Sequence, residues 1–487
     1  MNKITNLASR ALKNPAILYV ISRYATYAVQ FINSLFIALY LGPYYLGIWG
    51  FINLVLSYLA QLNLGIPHSI NVIVSVNKDK EEYVQKVIGN GLSMIVGLSI
   101  IVILFFIISY ISGFRIGDRY EFNSYLTPVI IIAVITHFNS LLSNVFRIYG
   151  KVFAIALNQS LFPIFTLILI LFYRNSELLW AMVIANCFSL IISLLLFIVQ
   201  TPIKLRPQFD SKLIKYIQKR GWYLFIYNTS FYLILLITKS YISGNYSVEE
   251  FGYFTFSYSL ANAILLFLDA LSYLVFPKML HRFANSDNDH IQNILRNVRT
   301  TYISTSHVLI HFLIMIFPFI ILIFPDYSSA SDVFKVNALT IALYTNSFGY
   351  QALLIARGGE KKIAVIAFCA LLLNFILVPI FINKLNIQFS YVMFATMIVY
   401  FIFVLALGKA SSKELKHSAK FLVVIKDAFS FKMIIPIILS IGFIILSADD
   451  VYFTIPFIAY IILNYKELTK LKGLGLKMIN NPNFINI

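Results

Sequence analysis

The feature that most constrains this chain is a long series of apolar stretches separated by short polar turns. A helix needs roughly 20 residues to cross a hydrocarbon core about 30 Å thick, and most of the stretches reach that length. Hydrophobic residues make up 60% of the sequence and charged residues only 12%, which is too apolar for a soluble domain. The sequence therefore predicts an all-α polytopic membrane protein.

We predict fourteen spans, with twelve as the alternative because the last two are only marginally long enough. They lie near residues 16–40, 46–74, 87–111, 125–148, 152–173, 178–200, 222–243, 252–277, 299–324, 333–356, 362–383, 388–408, 433–447 and 451–465.

Basic residues are distributed unevenly between the two sides of these spans. Of the 38 Lys and Arg residues, Arg23 and Lys239 alone are assigned to spans, and nearly all the others fall on the side of the amino tail. The opposite side has Arg115, Arg119, Arg174, Lys335 and Lys384. Because cytoplasmic turns are enriched in Lys and Arg, we expect both termini in the cytoplasm. The same asymmetry accounts for most of the net charge of +18 without a nucleic-acid partner.

Several other classes of site are disfavoured. Met1–Asn14 has no cleavable signal pattern and is interpreted as a basic cytoplasmic tail. Cys187 and Cys369 lie in apolar runs, which argues against a disulfide framework or a thiolate metal site. The chain has no GxxxxGK[ST] phosphate loop, so we do not expect ATP to drive it directly. The longest loop opposite the amino tail, Ser112–Ser124, is too short for the extramembrane part of an enzyme such as a polymerase or ligase.

An internal repeat suggests the architecture. The turn Leu41–Phe51 and the turn Ser243–Phe254 each place a Gly between bulky residues where the next span begins, and Gly47 aligns with Gly252 at a shift of 205. A second pair of basic turns, Arg147–Lys151 and Arg357–Lys361, aligns Gly150 with Gly359 at a shift of 209. Two nearly equal shifts predict two six-helix halves of the same orientation, related by an axis along the membrane normal.

The resulting domain plan has six parts. They are a cytoplasmic basic tail (1–15), an N-terminal six-helix bundle (16–200), a cytoplasmic basic connector (201–221), a C-terminal six-helix bundle (222–410), a cytoplasmic basic loop (411–432), and a helix pair with a tail (433–487). The connector and the basic loop are either simple topology determinants or amphipathic helices on anionic headgroups.

Polar side chains at helical spacing mark the candidate site. Arg23, Tyr27, Gln30 and Asn33 share one stripe of the first span. A guanidinium at membrane depth costs roughly 2.5 to 3.5 kcal/mol. We therefore interpret the stripe as a wall of a polar, cationic transport cavity, with snorkelling of Arg23 to the headgroups as the alternative.

Other spans carry similar stripes. They contain Gln61 and His68 in the second span, His137 and Asn144 in the fourth, Asn228, Tyr232 and Lys239 in the seventh, Asn262 and Asp269 in the eighth, and His307 and His311 in the ninth. The two cations would hold a pyrophosphate at different depths, although Lys239 could instead snorkel. Asp269 would pair with a cation or take up a proton. The histidines would bind sugar hydroxyls, titrate, or form ordinary interhelical hydrogen bonds. A zinc site is disfavoured because His307 and His311 lack a third ligand.

Five features of this chain together resemble those of polysaccharide flippases. They are the basic tail, the Leu41-Gly42-x-x-x-x-Gly47 turn, the Arg147–Lys151 turn, the two six-helix halves and the added helix pair. Polysaccharide flippases belong to the multidrug/oligosaccharidyl-lipid/polysaccharide exporter superfamily, and the resemblance is strongest to Wzx-type O-antigen flippases. It implies two bundles in a V, alternating access, and no enzymatic activity. It also implies a bacterial inner-membrane location, and a polysaccharide polymerase and a chain-length regulator as candidate partners.

The function that this resemblance implies is translocation of an oligosaccharide linked to undecaprenyl pyrophosphate, for O-antigen (lipopolysaccharide) or capsule biosynthesis. No cofactor is expected, and coupling to H⁺ or Na⁺ stays open. The alternative is a cation-coupled multidrug or metabolite exporter of the same superfamily. A cavity richer in acidic groups would favour that alternative, whereas Arg23 and Lys239 outweigh Asp269 here.

Overall fold

The computed structural model describes residues 15–77, 79–113, 115–285, 287–416 and 420–470, which are helical and contain no strand. The helices are α1 (Pro15–Gln61), α2 (Ile66–Val76), α3 (Glu81–Ile111), α4 (Phe122–Ile148), α5 (Val152–Leu169), α6 (Asn175–Val199), α7 (Ser211–Asn245), α8 (Val248–Asn285), α9 (Asn288–Ile323), α10 (Ser331–Thr345), α11 (Tyr350–Ala356), α12 (Glu360–Pro379), α13 (Met393–Glu414), α14 (Phe421–Ala428), α15 (Phe431–Ile445) and α16 (Thr454–Leu463). Single turns of 3₁₀ helix occur at Asp118–Tyr120, Pro325–Ala330, Phe389–Tyr391 and Asp450–Phe453.

Each predicted span corresponds to a helix or a pair of helices, so the expectation of an all-α, multi-span membrane protein is confirmed. The number of spans is a different matter. In the described part of the chain, eight helices are long and apolar enough to cross a membrane, or nine if α14 and α15 count as one bent span. Three more helical segments are apolar but shorter than a membrane span requires. They are α2, Phe153–Leu169 of α5, and Asp450–Leu463. The predicted count of fourteen is not reached by this criterion.

Glycine breaks account for part of the difference. The first two predicted spans are two helical segments that meet at Gly42, where φ is 67° and ψ is 172°, values that are not helical. Pro43 disfavours an α-helical conformation at the residue before it, and glycine alone adopts this φ readily. The second predicted span is interrupted before Gly65 (φ 69°), and the tenth before Gly349 (φ 86°).

The described chain divides into two compact units. We call Ile21–Tyr232 with Tyr246–Gly252 the N-unit, and Leu233–Asn245 with the described residues of Met1–Val20 and Tyr253–Ile487 the C-unit. The division falls inside α7.

In the N-unit, the basic connector packs on α3. The backbone N–H of Gln208 donates to the carbonyl oxygen of Gly89 at 3.1 Å, and that of Asp210 donates to Asn90 Oδ1 at 2.6 Å. Ile203 and Ile217 are part of the buried core formed with α2, α3 and α4. The first half of the connector is therefore docked against protein, and its second half begins α7.

One end of the N-unit holds both halves of the first repeat landmark. A capping box starts α8, in which the Ser247 N–H donates to Glu250 Oε2 at 2.8 Å and the Glu250 N–H to Ser247 Oγ at 3.1 Å. Phe251 packs edge-on against Tyr120, which in turn stacks on Phe51 at 4.3 Å between ring centroids. The segment 246–252 is thus fixed to the rest of the N-unit.

The second landmark needs a correction. Gly150 has φ 72°, and its counterpart with the same left-handed φ of 72° is Gly358, not the predicted Gly359. In both turns the following N–H bonds to the carbonyl five residues back, from Lys151 to Phe146 and from Gly359 to Leu354. The two turns therefore share one helix-ending geometry, at a shift one residue smaller than the sequence alignment gave.

In the C-unit, the last two helices are joined to α9 and α10 by polar contacts. The Tyr460 hydroxyl donates to the Ser304 carbonyl oxygen at 3.2 Å. The Lys335 ammonium lies 2.7 Å from Asp450 and 3.2 Å from Asp332, and its side chain is only 5% exposed. The pair α15–α16 is therefore an integral part of the C-unit core.

Candidate functional site

Lys239 of α7 contacts an aromatic ring of α8 in the C-unit. Its ammonium lies 3.7 Å from the centroid of the Tyr258 ring, and the Tyr258 hydroxyl lies 3.5 Å from Asn262 Oδ1. All three side chains are half-buried. The ring face attracts the cation without neutralising it. This arrangement places a basic side chain within a span, beside a ring face and an amide.

The N-unit part of α7 carries neutral polar groups. The Tyr232 side chain is 42% exposed, and its hydroxyl donates to Ser57 Oγ at 3.3 Å. One turn away, Thr229 Oγ1 donates to Gln61 at 3.3 Å, while Asn228 is exposed. These are groups that can exchange a weak internal hydrogen bond for one to a hydroxylated ligand.

His68 of α2 is also half-buried, and its Nε2 has no hydrogen-bond partner among the described residues. His68 is therefore a further candidate for ligand binding in the N-unit.

The stripe on α1 is only partly available. Asn33 is 3% exposed, and its Nδ2 donates to the Pro163 carbonyl oxygen of α5 at 2.6 Å. Tyr27 is also buried, whereas Gln30 is half-buried. The structure thus places Asn33 in a helix-helix contact, which the spacing alone did not indicate. Arg23 and Asp269 lie among the side chains outside the described residues.

The polar residues of α4 face protein as well. His137 is 1% exposed, and its Nε2 has no hydrogen-bond partner among the described residues. Asn144 donates to the Ser140 carbonyl oxygen at 2.9 Å and accepts from Arg147. The open part of this predicted stripe is the end next to Arg147.

His307 and His311 lie in the C-unit core, at 0% and 1% exposure. His307 Nε2 is 3.1 Å from the Ala342 carbonyl oxygen and 2.9 Å from Asn346 Oδ1. Both partners are acceptors, so Nε2 carries the proton. Neither ring nitrogen of His311 has a partner among the described residues, and its ring packs 5.5 Å from that of Tyr460. Within the described chain no three His, Cys, Asp or Glu side chains gather as metal ligands.

Arg299 is a buried cation that sequence reasoning missed, as is Lys335. Arg299 was assigned to a cytoplasmic turn at the edge of the ninth span, but it is 3% exposed. Its Nη1 donates to the carbonyl oxygens of Asn346 at 2.7 Å and Phe348 at 2.8 Å, and its guanidinium lies 3.5 Å from the centroid of the Tyr350 ring. It satisfies carbonyls that the break between α10 and α11 leaves without helical donors. The glycine at position 349 was the available signal for that break.

An apolar groove of about 740 Å³ lies between α5 and α6 of the N-unit. Phe165, Trp180 and Phe188 contribute to its wall, and Glu177 is the one charged residue that lines it. None of the predicted site residues borders it. A groove of this composition suits a hydrocarbon chain and does not suit a sugar.

Residues 37–327 match the model of a family described as "Polysaccharide biosynthesis protein". The chain belongs to this family. Its fold is similar to that of the solved chain titled "Lipid II flippase MurJ, inward closed conformation", with a TM-score of 0.69 and 18% identity, over 93% of this chain and 98% of that one. It is also similar to a chain titled as the inward-facing conformation of a multidrug resistance MATE family transporter of the MOP superfamily (TM-score 0.64, 12% identity, 82% of this chain and 98% of that one).

A third similar structure is titled as the outward-facing conformation of a multidrug resistance MATE family transporter of that superfamily (TM-score 0.61, 14% identity, 84% of this chain and 97% of that one). No curated protein matches the chain. The predicted membership of a polysaccharide protein family is confirmed. The similarity to the MurJ and MATE chains is one of fold.

Proposed function

We propose that this member of the polysaccharide biosynthesis family is a flippase for oligosaccharides linked to undecaprenyl pyrophosphate. The observation that supports it most directly is Lys239, a cation held within a span by the ring of Tyr258. A pyrophosphate joined to several sugars cannot cross hydrocarbon unaided, and an ammonium inside the span offers it a counter-charge. The translocated oligosaccharide would be a unit of a surface polysaccharide such as O-antigen or capsule.

The neutral polar groups would bind the sugars. Asn228, Tyr232, Gln61 and His68 present amide, hydroxyl and imidazole groups that are exposed or half-buried. Tyr232 also offers an aromatic face for stacking on a sugar ring. From the sequence, Arg23 is proposed as a second contact for the pyrophosphate. Asp269 is proposed either as a partner for one of the two cations or as a proton acceptor.

The proposed mechanism is alternating access. The polyprenyl tail stays in lipid, while the head group passes through a wet, cationic route. Fourteen spans, in two six-helix halves plus the final pair, with both termini in the cytoplasm, form the proposed topology because it places nearly all Lys and Arg on one side.

The test is transport by purified protein in proteoliposomes, using a fluorescent oligosaccharide on undecaprenyl pyrophosphate. Wild type is compared with Lys239→Ala and Arg23→Ala, and with Lys384→Ala as a control because Lys384 is an exposed turn residue. We expect at least a tenfold loss of rate for the first two variants and none for the control. Equal rates for all four proteins would overturn the cationic route.

A drug exporter is the second candidate, because the chain shares its fold with MATE transporters. Efflux of cationic dyes from cells that express the protein would distinguish the two. Dye efflux that survives Lys239→Ala, without any movement of the lipid-linked sugar, would favour the exporter.

A further inference from the structure

The short helix α14 lies across the direction of the helix that follows it. The axes of α14 and α15 differ by 76°. If α15 runs close to the membrane normal, as spanning helices do, then α14 lies close to the membrane plane. One side of α14 is buried through Val424 and Ala428, while Phe421 and Leu422 are 65% and 71% exposed. This is the arrangement of an interfacial amphipathic helix.

Charge is concentrated beside this helix. Five exposed lysines border it, namely Lys409, Lys413, Lys416, Lys420 and Lys426. None of the five takes part in an ion pair among residues 15–77, 79–113, 115–285, 287–416 and 420–470. The acids nearby are engaged elsewhere, since Glu414 pairs with Lys362 at 2.6 Å and Asp427 accepts from the Tyr350 hydroxyl. The surface therefore carries uncompensated positive charge next to exposed apolar side chains.

The same helix is linked to the break between α10 and α11. Asp427 of α14 accepts from Tyr350, which is 1% exposed, and the Tyr350 ring covers the guanidinium of Arg299. Arg299 in turn holds the carbonyls of Asn346 and Phe348. Gly408 allows the close approach, because a methyl group there would lie 3.1 Å from Val424 Cγ1 and 3.3 Å from Tyr350 Cε2. A shift of α14 would be felt directly at Tyr350.

We propose that α14 and these five lysines form a binding surface for anionic phospholipid headgroups, and that occupancy is transmitted through Asp427, Tyr350 and Arg299 to the break at 346–349. Lysines near a membrane surface attract anionic lipid, and exposed Phe and Leu side chains enter the acyl boundary. The basic connector, by contrast, has the first half of its backbone docked on α3. Within the described residues, the surface formed by α14 and the five lysines combines cations that make no ion pair, exposed apolar groups and a buried link.

The first experiment measures binding. Phosphatidylglycerol, phosphatidylcholine or glycerol phosphate is added to the detergent-purified full chain, and the Tm is recorded. We expect phosphatidylglycerol alone to raise the Tm. Replacing the five lysines by Gln should weaken its apparent affinity at least about tenfold. The control replaces Lys204, Lys212, Lys215, Lys219 and Arg220 by Gln, and should keep the effect.

The second experiment measures transmission by hydrogen exchange of residues 346–350. We expect phosphatidylglycerol to slow exchange in wild type but not in Tyr350→Phe, which keeps the ring over Arg299 and should still bind the lipid. Three results would overturn the proposal: an equal response to phosphatidylcholine or glycerol phosphate, an equal loss in the two five-residue variants, or unchanged slowing of exchange in Tyr350→Phe.

Discussion

Gly47 and Gly252 make a reciprocal contact within the N-unit. A methyl group on Gly47 would lie 2.1 Å from the carbonyl oxygen of Val248, and one on Gly252 would lie 1.9 Å from that of Pro43. Each obstructing carbonyl belongs to the residue four positions before the opposite glycine. The contact is therefore reciprocal, with the same geometry on both sides.

This contact predicts that alanine is not tolerated at either glycine. The neighbour is backbone, so it cannot rotate away, and overpacking of this kind costs about 1 to 3 kcal/mol. We expect Gly47→Ala and Gly252→Ala to lower the Tm of the purified protein by several degrees. Gly97→Ala and Gly442→Ala are the matched controls, since a methyl there meets no atom within 4 Å. If Gly47→Ala and Gly252→Ala both keep the Tm of wild type, the two helix ends that carry these glycines can move apart at little cost.

A second prediction concerns the ring beneath Lys239. Tyr258→Phe keeps the aromatic face and removes only the hydroxyl, whereas Tyr258→Leu removes the cation–π contact, worth about 0.5 to 2 kcal/mol. We expect transport in proteoliposomes to be nearly unchanged for Phe and reduced several-fold for Leu. Equal activity of the two variants would mean that the ring does not position the ammonium.

A third prediction separates the two buried histidines. His307→Leu removes the donor to Ala342 and Asn346, so it should destabilise the protein by about 1 to 3 kcal/mol. His311→Leu removes a buried imidazole that has no partner among the described residues, and should be neutral or stabilising. Thermal unfolding of the two variants measures this difference. Loss of transport in a stable His311→Leu protein would instead indicate a role for His311 in the transport cycle.

A fourth prediction concerns Lys335. Lys335→Met leaves Asp332 and Asp450 as neighbouring carboxylates without their cation, and should lower the Tm. The loss should be about 1 to 2 kcal/mol, since both carboxylates are partly solvated. Adding Asp450→Asn to Lys335→Met should restore part of it. A Tm as high for Lys335→Met as for the exposed-site control Lys384→Met would contradict the prediction.

Hydropathy was sufficient to locate the helices, because a spanning helix must be apolar along its whole length. Read as one span from 333 to 356, it did not reveal the interruption at Asn346–Gly349, although the polar cluster Thr345-Asn346-Ser347 and Gly349 mark that position. The break depends on Arg299, which comes from another helix and donates to two carbonyls there. A contact between segments 47 residues apart leaves no periodic signal in either segment.

The same limit applies to the site. Spacing predicts that Lys239 and Tyr232 share one side of a helix, but it could not tell which neighbour each side chain meets. Lys239 lies on Tyr258, whereas Asn33, from an equally regular stripe, is buried against Pro163. Periodicity specifies the direction of a side chain relative to its own helix. The packing of neighbouring helices decides whether that direction is open.

The joining of α15 and α16 to the C-unit core has a consequence for biogenesis. α9 and α10 leave the ribosome well before Asp450 and Tyr460, so a nascent chain holds Lys335 in the bilayer without Asp450, and the His307–His311 face without its cover. The polar face of the C-unit stays open until the last residues of the core have been inserted. A chain that stops before Asp450 would therefore leave Lys335 with Asp332 as its remaining carboxylate partner among the described residues, and would leave the His307–His311 face uncovered.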